Sequence, residues 1–468
     1  MFECEEMVSH GDEVVGDRAQ RGPGGVVAAI DDGPAASHEV VEQCRCDGHA
    51  SHVVSVEPDW VSAASRSVQT VVVGAGPQAL TIVARWLCER PAQLHDIVVV
   101  DPAGEWMRSW RDGFEQQAIE VLRSPGVHHP DPDDMAYVHA HPQRDSFDGS
   151  CAATPSSGVV GPLRRPTTKA FWRFCKTLIA RTGLDGRVVE ASVTELRPMG
   201  NDSSSKYWEV HLDTGAVLHA RQVLWAGNPR RCRVPHGVEL GGGVEHSSSV
   251  DLLRVRAGER IAVLGGGQTA GQLALRAAQR GAAVSLISRG PRRIASLDVD
   301  AGWLMGDHLD PFRAIADPGE RRLVVERVQC GSMTADLDIE LQRARVTRFA
   351  DAGDITARPH GAGAVAGFAG IECMVDRVWS ATGSVPDLRS APALAALADR
   401  GAPHVNGWPV LDGALRWGDG LFVAGALAAL TLGPAAGNLG GARAAADLLA
   451  GVVPISAAVN LEPFGHPG

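Results

Sequence analysis

Two short runs in this chain, Val71–Val73 and Ile97–Val100, are apolar at every position rather than at alternate ones. That is the pattern of strands buried on both faces of a parallel sheet. Between them apolar residues recur at helical spacing through Leu80, Val83 and Leu87. The same order returns further on: a run from Arg260 to Leu264, a helical stretch through Arg280, and a second run from Ala283 to Ile287. Between the two units, Phe171–Ile179 has the spacing of an amphipathic helix. Arg187–Met199, Lys206–Leu212 and Ala216–Trp225 alternate like a small antiparallel sheet. Later, Asp376–Gly383 and Gly420–Gly425 read as strands running into turns, and Gly433–Arg443 opens a last helix. Residues 350–370 are rich in Ala and Gly and predict no element. Residues 1–67 carry no sustained periodicity and read as a disordered N-terminal extension.

Each apolar unit is broken by glycines where strand passes to helix, which is the context that gives a glycine motif meaning. In the first, Gly74 permits the tight turn, and Gly76 lets the backbone approach a pyrophosphate at the positive end of the helix. Pro77 fits a first helical turn, where its missing N–H has no partner to lose. Ala79 takes the small position where helix packs on strand. The next strand ends on Asp101, a carboxylate placed to accept the hydroxyls of an adenosine ribose. In the second unit Gly265, Gly267 and Ala270 fill the same three positions, and Gln268 and Thr269 open the helix. Its second strand ends in Ser288-Arg289 instead of an acid, with Arg292 and Arg293 nearby. A hydroxyl followed by a guanidinium suits a 2′-phosphate, which predicts NADPH over NADH; the alternative is that Arg289 is a solvated charge.

These elements predict an α/β protein with two Rossmann-like dinucleotide-binding domains and a small antiparallel sheet. The Ala381–Gly383 and Ala424–Gly425 turns resemble returns to the first sheet. The expected organisation is therefore a discontinuous first domain, 68–255 and 370–453, enclosing a second at 256–369, with a tail at 454–468.

Composition narrows the chemistry. The net charge of −11 and the lack of a basic, aromatic-interleaved stretch argue against a nucleic-acid partner, while the scarcity of lysine (Lys169, Lys176, Lys206) reads as genome composition. The nine cysteines, at 4, 44, 46, 88, 151, 175, 232, 330 and 373, form no Cys-x-x-Cys pair. Neither a zinc site nor a disulfide framework is expected, and reduced thiols point to the cytoplasm. The start lacks the features of a signal peptide, and the uncharged stretch Leu421–Ala442 is punctuated by glycines, so no membrane span is expected. Trp106, Trp110, His128 and His129 lie in a Pro/Gly-interrupted segment of the kind that carries function. Packing is the alternative for the tryptophans. Ordinary hydrogen bonding is the expectation for the histidines, since no acidic or Cys partner has ligand spacing.

The order Gly-x-Gly-Pro-x-x-Leu, a small sheet ending near Ala226-Gly227, Gly-Gly-Gly-Gln-x-Ala and a late Ala381-Thr-Gly383 resembles the two-dinucleotide-domain flavoproteins over roughly residues 68–450. Within that group the chain is similar to class B flavin monooxygenases, especially the N-hydroxylating lysine and ornithine branch. Gly242 and His246 align with the class pattern, although its flanking aromatics are here Leu240 and Val250. Asp376-xxx-Ser-Ala-Thr-Gly383 resembles the late motif of the N-hydroxylases, with Ser380 and Ser384 departing from it. The resemblance implies FAD in the first site and NADPH in the second, with Trp110, Thr382, Gly383, Gly425, Gly433 and Asn438 joining the cofactor contacts. It implies a flavin hydroperoxide that transfers oxygen from O2 to the nitrogen of an amino acid or small amine. Asn438 is either a hydrogen-bond donor to the flavin or a polar helix residue. His246 is expected to link domains rather than to donate a proton. Arg123 or Lys169 is a candidate clamp for a substrate carboxylate, and His128 and His129 face the same region. The alternatives are an NADPH-dependent reductase without stable oxygen chemistry and a non-catalytic flavoprotein. A homo-oligomer is left open.

Overall fold

Val71 and Val72 are completely buried and Val73 nearly so, because the strand that carries them is flanked on both sides and covered on both faces. Each such valine contributes about 1.5–3 kcal/mol relative to exposure. The structure, a computed structural model, describes residues 65–141, 158–161, 163–200 and 207–452. The expected extension 1–67, except Ser65–Ser67 at the start of the first strand, and the expected tail 454–468 lie outside the described residues.

In chain order the elements that position the site are β1 (Ser65–Val73), α1 (Pro77–Glu89), β2 (Ile97–Asp101), α2 (Thr168–Arg181), β3 (Val188–Glu190), β4 (Val193–Met199), β5 (Tyr207–Leu212) and β6 (Val217–Trp225). The second unit comprises β7 (Val244–His246), β8 (Arg260–Leu264), α3 (Gln268–Gln279), β9 (Ala283–Ile287), α4 (Ala335–Arg343) and β10 (Thr347–Phe349). A meander of β11 (Ile355–His360), β12 (Gly363–Phe368) and β13 (Ile371–Val375) follows, then β14 (Arg377–Ser380), β15 (Leu421–Val423) and α5 (Leu439–Val452).

The parallel part of the first sheet runs β3-β2-β1-β6-β15, and the strand Arg416–Gly418 pairs antiparallel with β15 at its edge. The second runs β10-β9-β8-β14-β7, again all parallel. In both, the glycine strand is central, with the acid- or serine-ended strand on one side and a later strand on the other. The second sheet lies in the chain between β6 and β15 of the first, so one parallel unit is inserted in another. β4, β5 and β6 form the expected antiparallel meander, but it is fused to the first sheet through β6 rather than standing apart.

Three expectations are corrected. Residues 376–383 do not return to the first sheet: β14 pairs with β7 and β8 in the second. The second unit therefore extends beyond 256–369 at both ends, and only β15 with its Ala424-Gly425 turn rejoins the first sheet. A four-residue apolar run carries no mark of which parallel neighbour it joins; here Asp376 decides, accepting from the Arg260 amide at 2.8 Å and pairing with its guanidinium at 3.1 Å. The stretch 350–370, assigned no element, belongs to the meander β11–β13. The last helix begins at Leu439 rather than Gly433, and residues 425–432 are already helical. Among the described residues, no helix is long and apolar enough to cross a membrane.

Gly265 has φ +144, and a side chain there would run into the Ala381 carbonyl oxygen at the end of β14. Gly265→Ala should therefore lower stability by at least about 2 kcal/mol, through strain and collision together. Gly113→Ala, in the helix Arg108–Gln116 with nothing within 4 Å, should cost nothing. Thermal melts of the two variants check this.

Candidate functional site: two glycine turns joined by one short segment

The two glycine turns are built alike. Gly74 donates its amide to the Val100 carbonyl at 2.8 Å, and Gly265 donates to Ile287 at the same distance. On the opposite side, the Ala226 amide reaches the Val73 carbonyl at 2.9 Å and the Ala381 amide reaches Leu264 at 2.8 Å. Each turn is thus gripped by the strands on both flanks. A Cβ at Gly74, whose φ is +104, would lie 2.9 Å from the Gly227 amide nitrogen. Neither following helix has a side-chain cap or an acidic residue in its first turn. The orphan N–H groups and positive dipole ends of α1 and α3 are left for an anion.

At the first turn, a Cβ on Gly76 would meet nothing within 4 Å, so open space lies where a pyrophosphate would approach. Pro77 opens α1 and Ala79 is fully buried beneath it. Asp101 is fixed at the rim by the amides of Ala75 and Ala103, each at 2.8 Å, and its oxygens keep further acceptor capacity. Gln78, which sequence reasoning missed, lies where α1 meets the start of α5. Its Nε2 donates to the carbonyls of Asn438 at 3.0 Å and Ala436 at 3.4 Å, while its buried Oε1 has no partner. An unpartnered buried acceptor beside an uncapped helix end suits a polar ligand. The Gly-x-Gly-Pro-Gln sequence was the signal available for it. Together these residues fit a dinucleotide.

At the second turn, Ala270 is buried under the helix start, and Gln268 and Thr269 form its half-buried first residues. The Gln268 Oε1 accepts from the Thr334 amide at 3.0 Å. Ser288, at the end of β9, turns its hydroxyl to the Gly290 carbonyl at 2.9 Å, and the Arg289 side chain is exposed beside it. Arg292 is engaged with Asp338 at 3.1 Å, a carboxylate that Arg348 also holds at 2.9 Å, while Arg293 is exposed.

One segment joins the turns. Ala226-Gly227 abuts Gly74, and six residues later the Arg233 amide donates to the Gly383 carbonyl at 2.9 Å, next to the turn that abuts Gly265. An extended chain of that length reaches at most about 25 Å, which bounds the separation of the two turns. His246 locks this junction. Its Nδ1 accepts from the Ser248 amide at 3.2 Å, so the ring proton sits on Nε2, which donates to Gly383 O at 3.1 Å. His246 is buried, and its bond to Gly383 lies within the second unit, to which both β7 and β14 belong, whereas a link between domains was expected. The Thr382 hydroxyl is likewise spent internally, on Ser380 and the Arg233 carbonyl.

The segment 106–134 is sorted differently from expectation. Trp106 is a core residue whose Nε1 donates to Leu184 O at 3.0 Å. Trp110 stacks on Phe114 at 4.4 Å and tilts against Phe171 at 5.4 Å, within a ring cluster. Arg123 does not present a free fork to a substrate carboxylate: backbone carbonyls of residues 295–297 and 332 engage it. Lys169 is exposed on the first turn of α2. His129 is fully buried with Nε2 facing Asp134 O at 3.1 Å; desolvation, then the Arg443 charge, depresses its pKa to about 4.

His128 is half-buried over the first turn of α5, where a Cβ on Gly440 would lie 3.6 Å from its ring and 3.3 Å from the Asn438 Oδ1. Burial, reinforced by Arg443, lowers its pKa. Asn438 is the cap of α5: its Oδ1 accepts from the Gly441 amide at 2.9 Å, which leaves its NH2 group for other partners. Gly425 and Gly433, both with positive φ, shape the chain before this helix, Gly433 under Trp303. Arg443, also missed, donates to the carbonyls of His129 at 3.0 Å and Asp131 at 2.7 Å and pairs with Asp134, fastening the histidine loop to α5. An arginine mid-helix carried no signal that its partners lay some 310 residues away.

No protein-family model and no curated protein matches the chain by sequence. Among solved structures it is similar to an ornithine N-hydroxylase of Kutzneria sp. 744, solved with reduced FAD, NADP+ and L-ornithine. The identity is 16%, 83% of this chain and 99% of that one are covered, and the TM-score is 0.65. It is also similar to the cadaverine monooxygenase of the desferrioxamine pathway of Erwinia amylovora, solved with FAD, at 15% identity, 85% and 98% coverage and TM-score 0.63. A third is the L-lysine 6-monooxygenase of Pseudomonas syringae, at 17% identity, 82% and 99% coverage and TM-score 0.61. Two parallel Rossmann-like sheets, one inserted in the other and each ending at an uncapped helix, give this chain a fold similar to that of these proteins.

Proposed function

We propose that this chain is an FAD- and NADPH-dependent monooxygenase that hydroxylates the amine nitrogen of an amino acid or small amine. The observation that carries the reading is the pair of alike glycine turns, each facing an uncapped helix end and tied together by residues 226–233. Support comes from the fold neighbours, whose names give ornithine, cadaverine and lysine as substrates.

On this reading Gly74, Gly76, the first turn of α1 and Asp101 hold FAD, while Gly265, Gly267, the first turn of α3, Ser288 and Arg289 hold NADPH. When bound, the nicotinamide supplies a hydride, and the reduced flavin supplies the means of moving one oxygen atom of O2 to the substrate nitrogen. The protein supplies orientation and charge. The amino end of α5, with the free NH2 of Asn438, stabilises negative charge at the first site. His128, half-buried over the first turn of α5 with its pKa lowered by burial and by Arg443, lines the region where the amine would sit. Tyr137, fully buried, stacks against His129 and edges onto Phe174 beside this segment.

The direct test is to purify the protein with FAD and follow NADPH consumption across a panel of diamines and amino acids. A hydroxylated amine formed in proportion to NADPH used is the expected outcome; NADPH consumed without it, whatever the amine, would favour a plain reductase. Gly76→Val should fold yet fail to retain FAD, since its side chain fills the space left for the pyrophosphate; absorbance of the purified variant checks it. Arg289→Ala should raise the NADPH KM by about tenfold and leave the NADH KM unchanged, the loss of one charged contact. Equal effects on both would remove Arg289 from the 2′-phosphate.

A further inference from the structure

Arg123 leaves its own loop and crosses to the second unit. From Nη1 it donates to the Ser332 carbonyl at 2.9 Å, and from Nη2 to the Ala295 carbonyl at 2.8 Å, the Ser332 hydroxyl at 2.7 Å and the Leu297 carbonyl. Nε faces Ser296 O at 3.5 Å. Among the described residues no carboxylate is in ion-pair contact with it; burial lowers its pKa, and the charge of Asp298 opposes that shift.

The two stretches it grips are themselves joined. The Ala295 amide donates to Met333 O at 2.9 Å and the Met333 amide to Arg293 O at 3.0 Å, with Ile294 bridging Met333 in parallel. They lie against the second glycine turn. A Cβ on Gly267 would be 3.6 Å from Gly331 Cα and 4.0 Å from the Ser332 amide nitrogen, and Thr334 bonds Gln268 at the start of α3. One residue rooted in the first unit therefore sets the wall beside the second anion site. A second tie, Arg165 to Asp336 at 2.8 Å, runs in the same direction. A guanidinium fork can reach several carbonyls at once, which the point charge of a lysine cannot span.

We propose that Arg123 is a positioning residue for the nicotinamide cofactor: by holding Ala295–Leu297 and Gly331–Thr334 in register, it shapes the second glycine turn and aligns it with the first site. This rests on reading the two turns as FAD and NADPH sites.

The experiment compares the full-length wild type with Arg123→Ala and Arg123→Lys. FAD content should be unchanged in all three. The Kd for NADP+, titrated through the flavin spectrum, should rise about tenfold or more in Arg123→Ala, because buried carbonyls lose their donor. Arg123→Lys should recover only part of this. Hydrogen exchange at the Ala295 and Met333 amides, measured on cofactor-free chains, should accelerate in Arg123→Ala. An unchanged NADP+ Kd, with a raised KM for an amino-acid substrate instead, would overturn the proposal and make Arg123 a substrate clamp. Unchanged exchange at both amides would overturn it too. A wild type that binds no FAD would defeat the functional reading instead, and the exchange rates would still decide whether Arg123 holds this wall.

Discussion

Everything in this molecule depends on a strand running parallel beside each glycine strand and closing on its turn. The amides of Ala226 and Ala381 bond the last carbonyls of β1 and β8, and this contact leaves no room for a side chain at Gly74 or Gly265. The constraint is steric and local, yet it fixes where two helices begin and where their unsatisfied amides point. A parallel sheet offers its ligand site at the carboxyl ends of its strands. Inserting one such sheet within the other brings two such ends together through a segment only a few residues long. On the proposed function, the cofactors would carry the chemistry and the chain their placement.

Placement has a cost in buried polar groups, and the structure meets it largely with long side chains that reach backbone carbonyls. Arg443 binds the loop carbonyls that a buried segment would leave orphaned, and Arg123 does the same for the stretch beside the second turn. His246 performs the equivalent task between β7 and the Gly383 turn, held as a neutral donor by the Ser248 amide. At Arg123 and Arg443 a planar fork satisfies several carbonyls at once.

Much of this was legible in the sequence. The valine runs, the glycine spacing and the terminal Asp101 specified both turns, because a strand buried on two faces and a helix start each leave a distinct pattern. What was not legible follows from physics too. The meander β11–β13 is built on Ala357, Ala364 and Ala366, all fully buried, and on Gly363, whose Cβ would strike the Val375 carbonyl. Small residues in a tightly stacked sheet have low β-propensity and show no alternation. The sheet to which β14 belongs is a tertiary choice that four apolar residues cannot announce. Arg123 was expected to be a candidate clamp for a substrate carboxylate, and only the fold shows its donors spent on carbonyls. Gln78 and Arg443 escaped notice because their partners lie hundreds of residues away.

The measurement that bears most directly on the account is an anaerobic titration of the purified chain with NADPH, followed by visible absorbance. Two coenzyme sites in register predict a yellow protein whose flavin bands disappear as about one equivalent of NADPH is added, since each carries one electron pair. A preparation that remains colourless after incubation with FAD, or a yellow one whose bands persist through excess NADPH, would contradict it.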